Sequence, residues 1–211
     1  MRPGRKQVRE MSVAQAWSAV HAVRPARVLL VVVALVSLCG SQVTVSGVGL
    51  FLFDSPVSLL LLLPALAGMG AAIATDNTAC LPLPDPPRAV LARAGWVTAW
   101  TLLAVLAANI AQVTGPEVTW QPTTRNVLLH TALSLATLHR VHAHAVWLPS
   151  LALTLCSMLF GYRIGEPGHY WWAVIMDLEV TPTQWVVTGV LFTAAALAYV
   201  VSPATRRLSW G

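Results

Sequence analysis

The run Ser58–Ala74, SLLLLLPALAGMGAAIA, carries no charged residue over seventeen positions, and its reading decides the class of the chain. A half-buried strand would alternate polar and apolar residues, and a helix on the surface of a soluble domain would keep a polar face. This run does neither. Similar runs recur along the sequence, each approaching or exceeding the ~20 residues that a helix needs to cross ~30 Å of hydrocarbon. Of 211 residues 56% are hydrophobic and 10% charged, against about a quarter charged in a soluble domain. The expected fold is therefore all-α, a polytopic membrane helical bundle. A membrane β-barrel would show short alternating segments instead.

Six transmembrane helices are expected, at about 28–50, 56–75, 94–114, 123–141, 145–162 and 183–202. With both termini cytoplasmic, the cytoplasmic segments hold Arg2, Arg5, Lys6, Arg9, Arg24, Arg27, Arg88, Arg93, Arg140, Arg206 and Arg207, eleven of thirteen basic residues. Arg125 and Arg163 are left on the outside, with Asp54, Glu117, Glu166, Asp177 and Glu179. This is the positive-inside pattern. Indole rings favour the headgroup level, and the tryptophans fit the same layout: Trp96 and Trp147 at inner ends, Trp120, Trp171, Trp172 and Trp185 at outer ends. The net charge of +5 is then explained by orientation in a cell membrane, and no nucleic-acid partner is expected.

The chain divides into a basic elbow segment 1–26, a six-span membrane domain 27–203 and a cytoplasmic tail 204–211. In the elbow, VREMSVAQAWSAVHAV (Val8–Val23) is predicted to form an amphipathic interfacial helix ended by Pro25. A secretory signal is not expected, because no small-x-small site closes the first apolar run and Leu38 precedes Cys39 where a lipoprotein signal needs a small residue. Cys39, Cys80 and Cys156 fall in a span, a loop and a span, so they are expected to stay thiols. The last outer loop contains GHYWWAVIMDL (Gly168–Leu178), apolar but too short to cross, which predicts a re-entrant or interfacial helix.

Three histidines stand close together in LHRVHAHAVW (Leu138–Trp147). His139, His142 and His144 are the weak candidates for a metal site, but no Asp, Glu or Cys stands beside them to complete or orient the ligands. A solvated turn between spans four and five is the better reading. Asp76 and Asp85, nine apart and separated by prolines, are equally poor as a metal pair. Polar stripes at helical spacing include Gln42, Asn109, Gln112, His130 and Ser134, which are the candidates for a substrate path; close helix packing through small and hydroxyl residues is the competing explanation.

No Asp, Glu, Lys or Arg is expected deep in a span, whereas ion-driven transporters usually need one. His130 is the only titratable candidate there. The chain also lacks the glycine loop ending in Lys-Ser or Lys-Thr that cradles ATP phosphates, and the HExxH and GxSxG motifs. No cofactor is expected in this chain, and any active transport must draw on a partner.

The layout resembles the membrane subunit of type-two ABC exporters: an elbow helix at Val8–Val23, six spans, a first cytoplasmic loop at Asp76–Arg93 and a membrane-embedded element at Gly168–Leu178. TTRNVLLHTALSL (Thr123–Leu135), AVWLPSLAL (Ala145–Leu153), YWWAV (Tyr170–Val174) and the tail ATRRLSWG look like small actinobacterial ABC permease-like membrane proteins. The resemblance implies a permease homodimer or heterodimer with a separate ABC ATPase chain that binds ATP and Mg. Asp85, Arg88, Arg93, His139, Arg140 and His142 would then face that partner, and the substrate would be amphipathic or apolar. The alternatives are a non-transporting membrane protein, either scaffold or immunity factor, and a metal-dependent membrane enzyme.

Overall fold

The computed structural model describes residues 21–40, 44–45, 57–58, 62–76, 86–110, 120–141, 143–163 and 168–201. Six helices follow one another: α1 (Val23–Gly40), α2 (Leu63–Ile73), α3 (Pro86–Asn109), α4 (Trp120–Arg140), α5 (Leu148–Phe160) and α6 (Pro182–Val201). Between α1 and α2, β1 (Thr44–Val45) pairs antiparallel with β2 (Val57–Ser58) over two residues each. The elbow helix expected over Val8–Val23 lies almost wholly outside the described residues; Pro25 falls in the first turn of α1 rather than ending a helix.

The expected first and second spans run beyond the helices found. α1 stops at Gly40, where glycine is followed by the β-branched Val43–Thr44–Val45 that favours an extended chain. α2 starts at Leu63 with Pro64 in its first turn, the one helical place where a missing N–H and a fixed φ cost nothing. The leucines ahead of Pro64 therefore do not lengthen α2, and its 11 residues rise only ~16 Å. α5, with 13 residues, rises ~20 Å. Among the described residues two helices are long and apolar enough to cross a membrane, within Arg88–Asn109 and Pro182–Val201.

The central element is α4, which packs against α2, α3, α5 and α6. It is also the most polar helix, and its buried face holds Thr123, Arg125, Asn126, His130, Thr131 and Ser134. At Gly68 of α2 a Cβ would come within 2.6 Å of the Thr131 backbone nitrogen and 2.8 Å of the His130 Cβ. Only glycine allows the two helices to lie this close. Small apolar residues fill the rest of the interior: Ala26, Ala67, Ala71, Ala104 and Ala108 are buried among Val33, Leu63, Trp100 and Val127.

Large apolar side chains point the other way. Leu91 is 74% exposed, Leu106 67%, Val186 65% and Val190 62%, on the two helices of membrane-spanning length. An apolar exterior around a polar central helix is the reverse of a soluble domain, whose exposed apolar patches are small.

The segment expected to be a re-entrant helix forms none. Residues 161–163 and 168–180 hold a Tyr162–His169 bridge, a turn at Trp171–Trp172 and one 3-10 turn at Val174–Met176. Its apolar character comes from docking: Ala173, Ile175 and Met176 are buried against Leu129 of α4 and Leu153 and Met158 of α5. It forms a cap over one end of the bundle.

Candidate functional site

The cap is held by a polar cluster that starts one turn into α4. Arg125, expected on the outer side of the membrane, is 0% exposed. Its Nε donates to Asn126 Oδ1 at 3.0 Å, its Nη1 to Gln184 Oε1 at 2.7 Å, and its Nη2 to the carbonyl oxygens of Val174 at 2.6 Å and Asp177 at 2.9 Å. Asn126 Nδ2 donates to the Ile175 carbonyl at 2.9 Å. Two adjacent side chains of α4 thus donate to three carbonyls of the cap, of which Val174 O also accepts from the Asp177 N–H at 3.1 Å. Arg125 stands near the start of α4, at the end of the bundle rather than in its middle. Enclosure is possible because every one of those contacts is a hydrogen bond to the cation.

Asp177 closes the cluster. Gln184 Nε2 donates to its Oδ2 at 2.9 Å, and His169 Nδ1 lies 3.2 Å from its Oδ1. His169 also packs against Tyr162, with ring centroids 4.8 Å apart and the rings tilted at 55°. Gln184 belongs to the start of α6, where Thr181 Oγ1 accepts from the Gln184 backbone N–H at 3.3 Å and Gln184 Oε1 accepts from the Thr181 N–H at 3.3 Å. This reciprocal pair is a capping box, with Pro182 at the first helical position. The sequence sign was Thr181-Pro-Thr-Gln184, and it was not recognised as a helix start linked to Arg125.

Beneath the cap lies a half-open groove of ≈ 640 Å³ between α4, α5 and α6. Its walls are Leu129 and Leu133, Pro149 and Leu153, and Val187 and Thr188, with Trp171 and Trp172 as roof and Thr181, Thr183 and Gln184 along one rim. No ionisable side chain lines it. A second groove of ≈ 340 Å³ lies along the same two helices at the other end, lined by Ala132, Leu133, Ala136, His139 and Arg140 of α4 and by Leu191, Ala194, Ala195 and Ala198 of α6. Leu133 borders both. Arg125 meets Gln184 at one end and His139 meets Tyr199 at the other, with ring centroids 4.9 Å apart, so α4 and α6 run parallel side by side.

Three of the five residues expected on a substrate path, Asn109, His130 and Ser134, are among the described residues. Gln42 and Gln112 lie outside the described residues. Asn109 Nδ2 donates to Val105 O at 2.8 Å and Thr124 Oγ1 at 3.2 Å, joining the end of α3 to the start of α4. His130 is buried at the Gly68 crossing, its Nδ1 without a hydrogen-bond partner among the described residues. Ser134 Oγ lies 3.1 Å from Ser150 Oγ of α5. None of these three lines either groove. Other hydroxyls bond their own helix, as Thr131 does to Val127 O at 2.7 Å and Thr154 to Ser150 O at 2.8 Å.

Of the residues expected to face a partner, Asp85 and His142 lie outside the described residues. Arg88 and Arg140 are exposed. Arg93 is turned inward and donates from Nη1 to the Val200 carbonyl at 3.0 Å, satisfying one of the free carbonyls at the end of α6 with a cation that suits the helix dipole. His144 is exposed on the 3-10 turn Ala143–Ala145. Among the described residues no three His, Cys, Asp or Glu side chains gather at metal-binding range. No family model, curated protein or solved structure matches this chain.

Proposed function

We propose that this chain is a membrane-embedded permease subunit for an amphipathic or apolar molecule, driven by a separate ATPase. The observation that carries the reading is the ≈ 640 Å³ groove beneath the cap, apolar, open to one side and edged by hydroxyl and amide groups. Its size is that of sites for small organic ligands. A ligand without net charge, or one keeping its charge at the rim, suits these walls.

The six helices are read as six membrane segments with both termini cytoplasmic, the Arg125 end outside and the Arg140 end inside. In this reading α3, α4 and α6 run the full depth, while α2 and α5, with 11 and 13 residues, are shorter. The one buried cation at the site, Arg125, does not exchange its proton at physiological pH and is fully engaged with the cap. It is a fastener rather than a coupling ion. Work must then enter from the inner face, through Arg88 and the segment ahead of α3, and through the turn around Arg140. Arg93 ties α3 to the end of α6 there, so a push on the 76–93 segment would reach a wall of the groove. Such a shift of packed helices is the usual way a partner moves a transporter.

Gentle affinity purification from the native host tests the proposal. A stoichiometric ATPase is expected in the eluate, retained by wild type and lost when Arg88 and Arg140 are both replaced by Glu. A purified chain that alone drives uphill solute movement in vesicles would contradict it.

A further inference from the structure

The Arg140 groove has a chemistry different from the one under the cap. Its walls are mainly alanine: Ala132 and Ala136 on α4 face Ala194, Ala195 and Ala198 on α6. Short side chains on parallel neighbours leave a slot between them that none of the described residues fills, and an unfilled slot forfeits dispersion contacts along its whole lining. From Leu133 to Arg140 the slot rises ~10 Å along α4. It ends at an exposed guanidinium, which makes no ion pair among the described residues, with the His139 imidazole beside it. No carboxylate lines the slot. Trp147, 48% exposed after the following turn, sits where indole rings mark the headgroup level.

We infer that this groove holds an anionic phospholipid of the inner leaflet, an acyl chain along the alanine walls and its phosphate at Arg140. The inference rests on the membrane-embedded reading above and gives an occupant to the apolar slot beside the turn around Arg140. Charge complementarity selects the headgroup: a cation at the mouth of an apolar slot between helices attracts a phosphate, and a zwitterionic head brings its own cation with it. A free phosphate would make no use of the alanine walls. The tail of a lipid seated at Arg140 reaches Leu133, which is also a wall of the groove under the cap, so the bound lipid closes that groove from below.

The full chain, reconstituted in nanodiscs holding equal phosphatidylglycerol and phosphatidylcholine and then extracted in mild detergent, is assayed by native mass spectrometry for retained lipid. Wild type is expected to keep phosphatidylglycerol over phosphatidylcholine by about fivefold, the effect of one cation on an anionic headgroup. Arg140→Gln brings the ratio close to one, Arg140→Lys keeps it, and Ala194→Phe, which fills the slot from an exposed position, lowers both lipids. Equal retention by wild type, or an unchanged ratio in Arg140→Gln, overturns the inference. Carbonate extraction of the same variants separates the two claims. A chain that resists carbonate yet shows no preference sinks the lipid site alone, and a chain washed from the membrane sinks both.

Discussion

Arg125 concentrates more of this structure than any other side chain. Its guanidinium serves two side-chain and two backbone acceptors from three parts of the chain, and a planar fork of five donors is what makes that possible. Removing it takes the guanidinium donors from the Val174 and Asp177 carbonyls, of which Val174 keeps the Asp177 backbone N–H at 3.1 Å. Arg125→Ala is expected to cost roughly 3 kcal/mol or more, read as a fall in thermal unfolding temperature in detergent. Arg125→Lys recovers only part of this, because an ammonium reaches fewer of the four acceptors at once. Full stability in Arg125→Ala would show that the cap is held by apolar docking alone. The sequence did not single this residue out for a physical reason. A basic residue at the end of an apolar run reads the same whether it meets water or carbonyls, and the distinguishing partners lie 49 to 59 positions away.

At the scale of elements, the expected limits 123–141 and 183–202 fall within three residues of α4 and α6, because hydropathy changes where these two helices begin and end. α1 and α2 were overextended because a hydropathy window averages over Pro64 and over Val43–Thr44–Val45, residues that change the backbone without changing the apolar content. The cap was misread for a related reason. GHYWWAVIMDL is apolar because Ala173, Ile175 and Met176 dock into the bundle, and burial alone does not specify a helix. The capping box makes a separate prediction. Thr181→Ala removes the acceptor of the Gln184 N–H and is expected to cost about 1 kcal/mol, measured by the same thermal unfolding. Because Gln184 also holds Arg125 and Asp177, limited proteolysis of Thr181→Ala should cut faster within 161–180 than in wild type. Unchanged cleavage would mean that the cap and the start of α6 are independent.

Across the whole molecule the defining property is inversion: a helix rich in Thr, Asn, His, Ser and Arg at the centre, and Leu and Val outward on its neighbours. In water this arrangement would bury polar groups and expose apolar ones, losing on both counts. In hydrocarbon the outward leucines cost nothing, and the central polar groups find partners in each other and in the backbone. The overall helical class could be read from composition, whereas the grooves could not, because they arise where α4 and α6 lie parallel with alanine between them, a juxtaposition no local pattern encodes. The exposed thiol of Cys156 on α5 gives the most direct test of the inversion. With Cys39 and Cys80 replaced by serine, intact membranes are treated with a charged, water-soluble maleimide and in parallel with an apolar one. If the apolar faces meet lipid, Cys156 reacts with the apolar reagent and resists the charged one until detergent is added. Rapid labelling by the charged reagent in intact, sealed or opened membranes would place that face in water and contradict the membrane-embedded bundle.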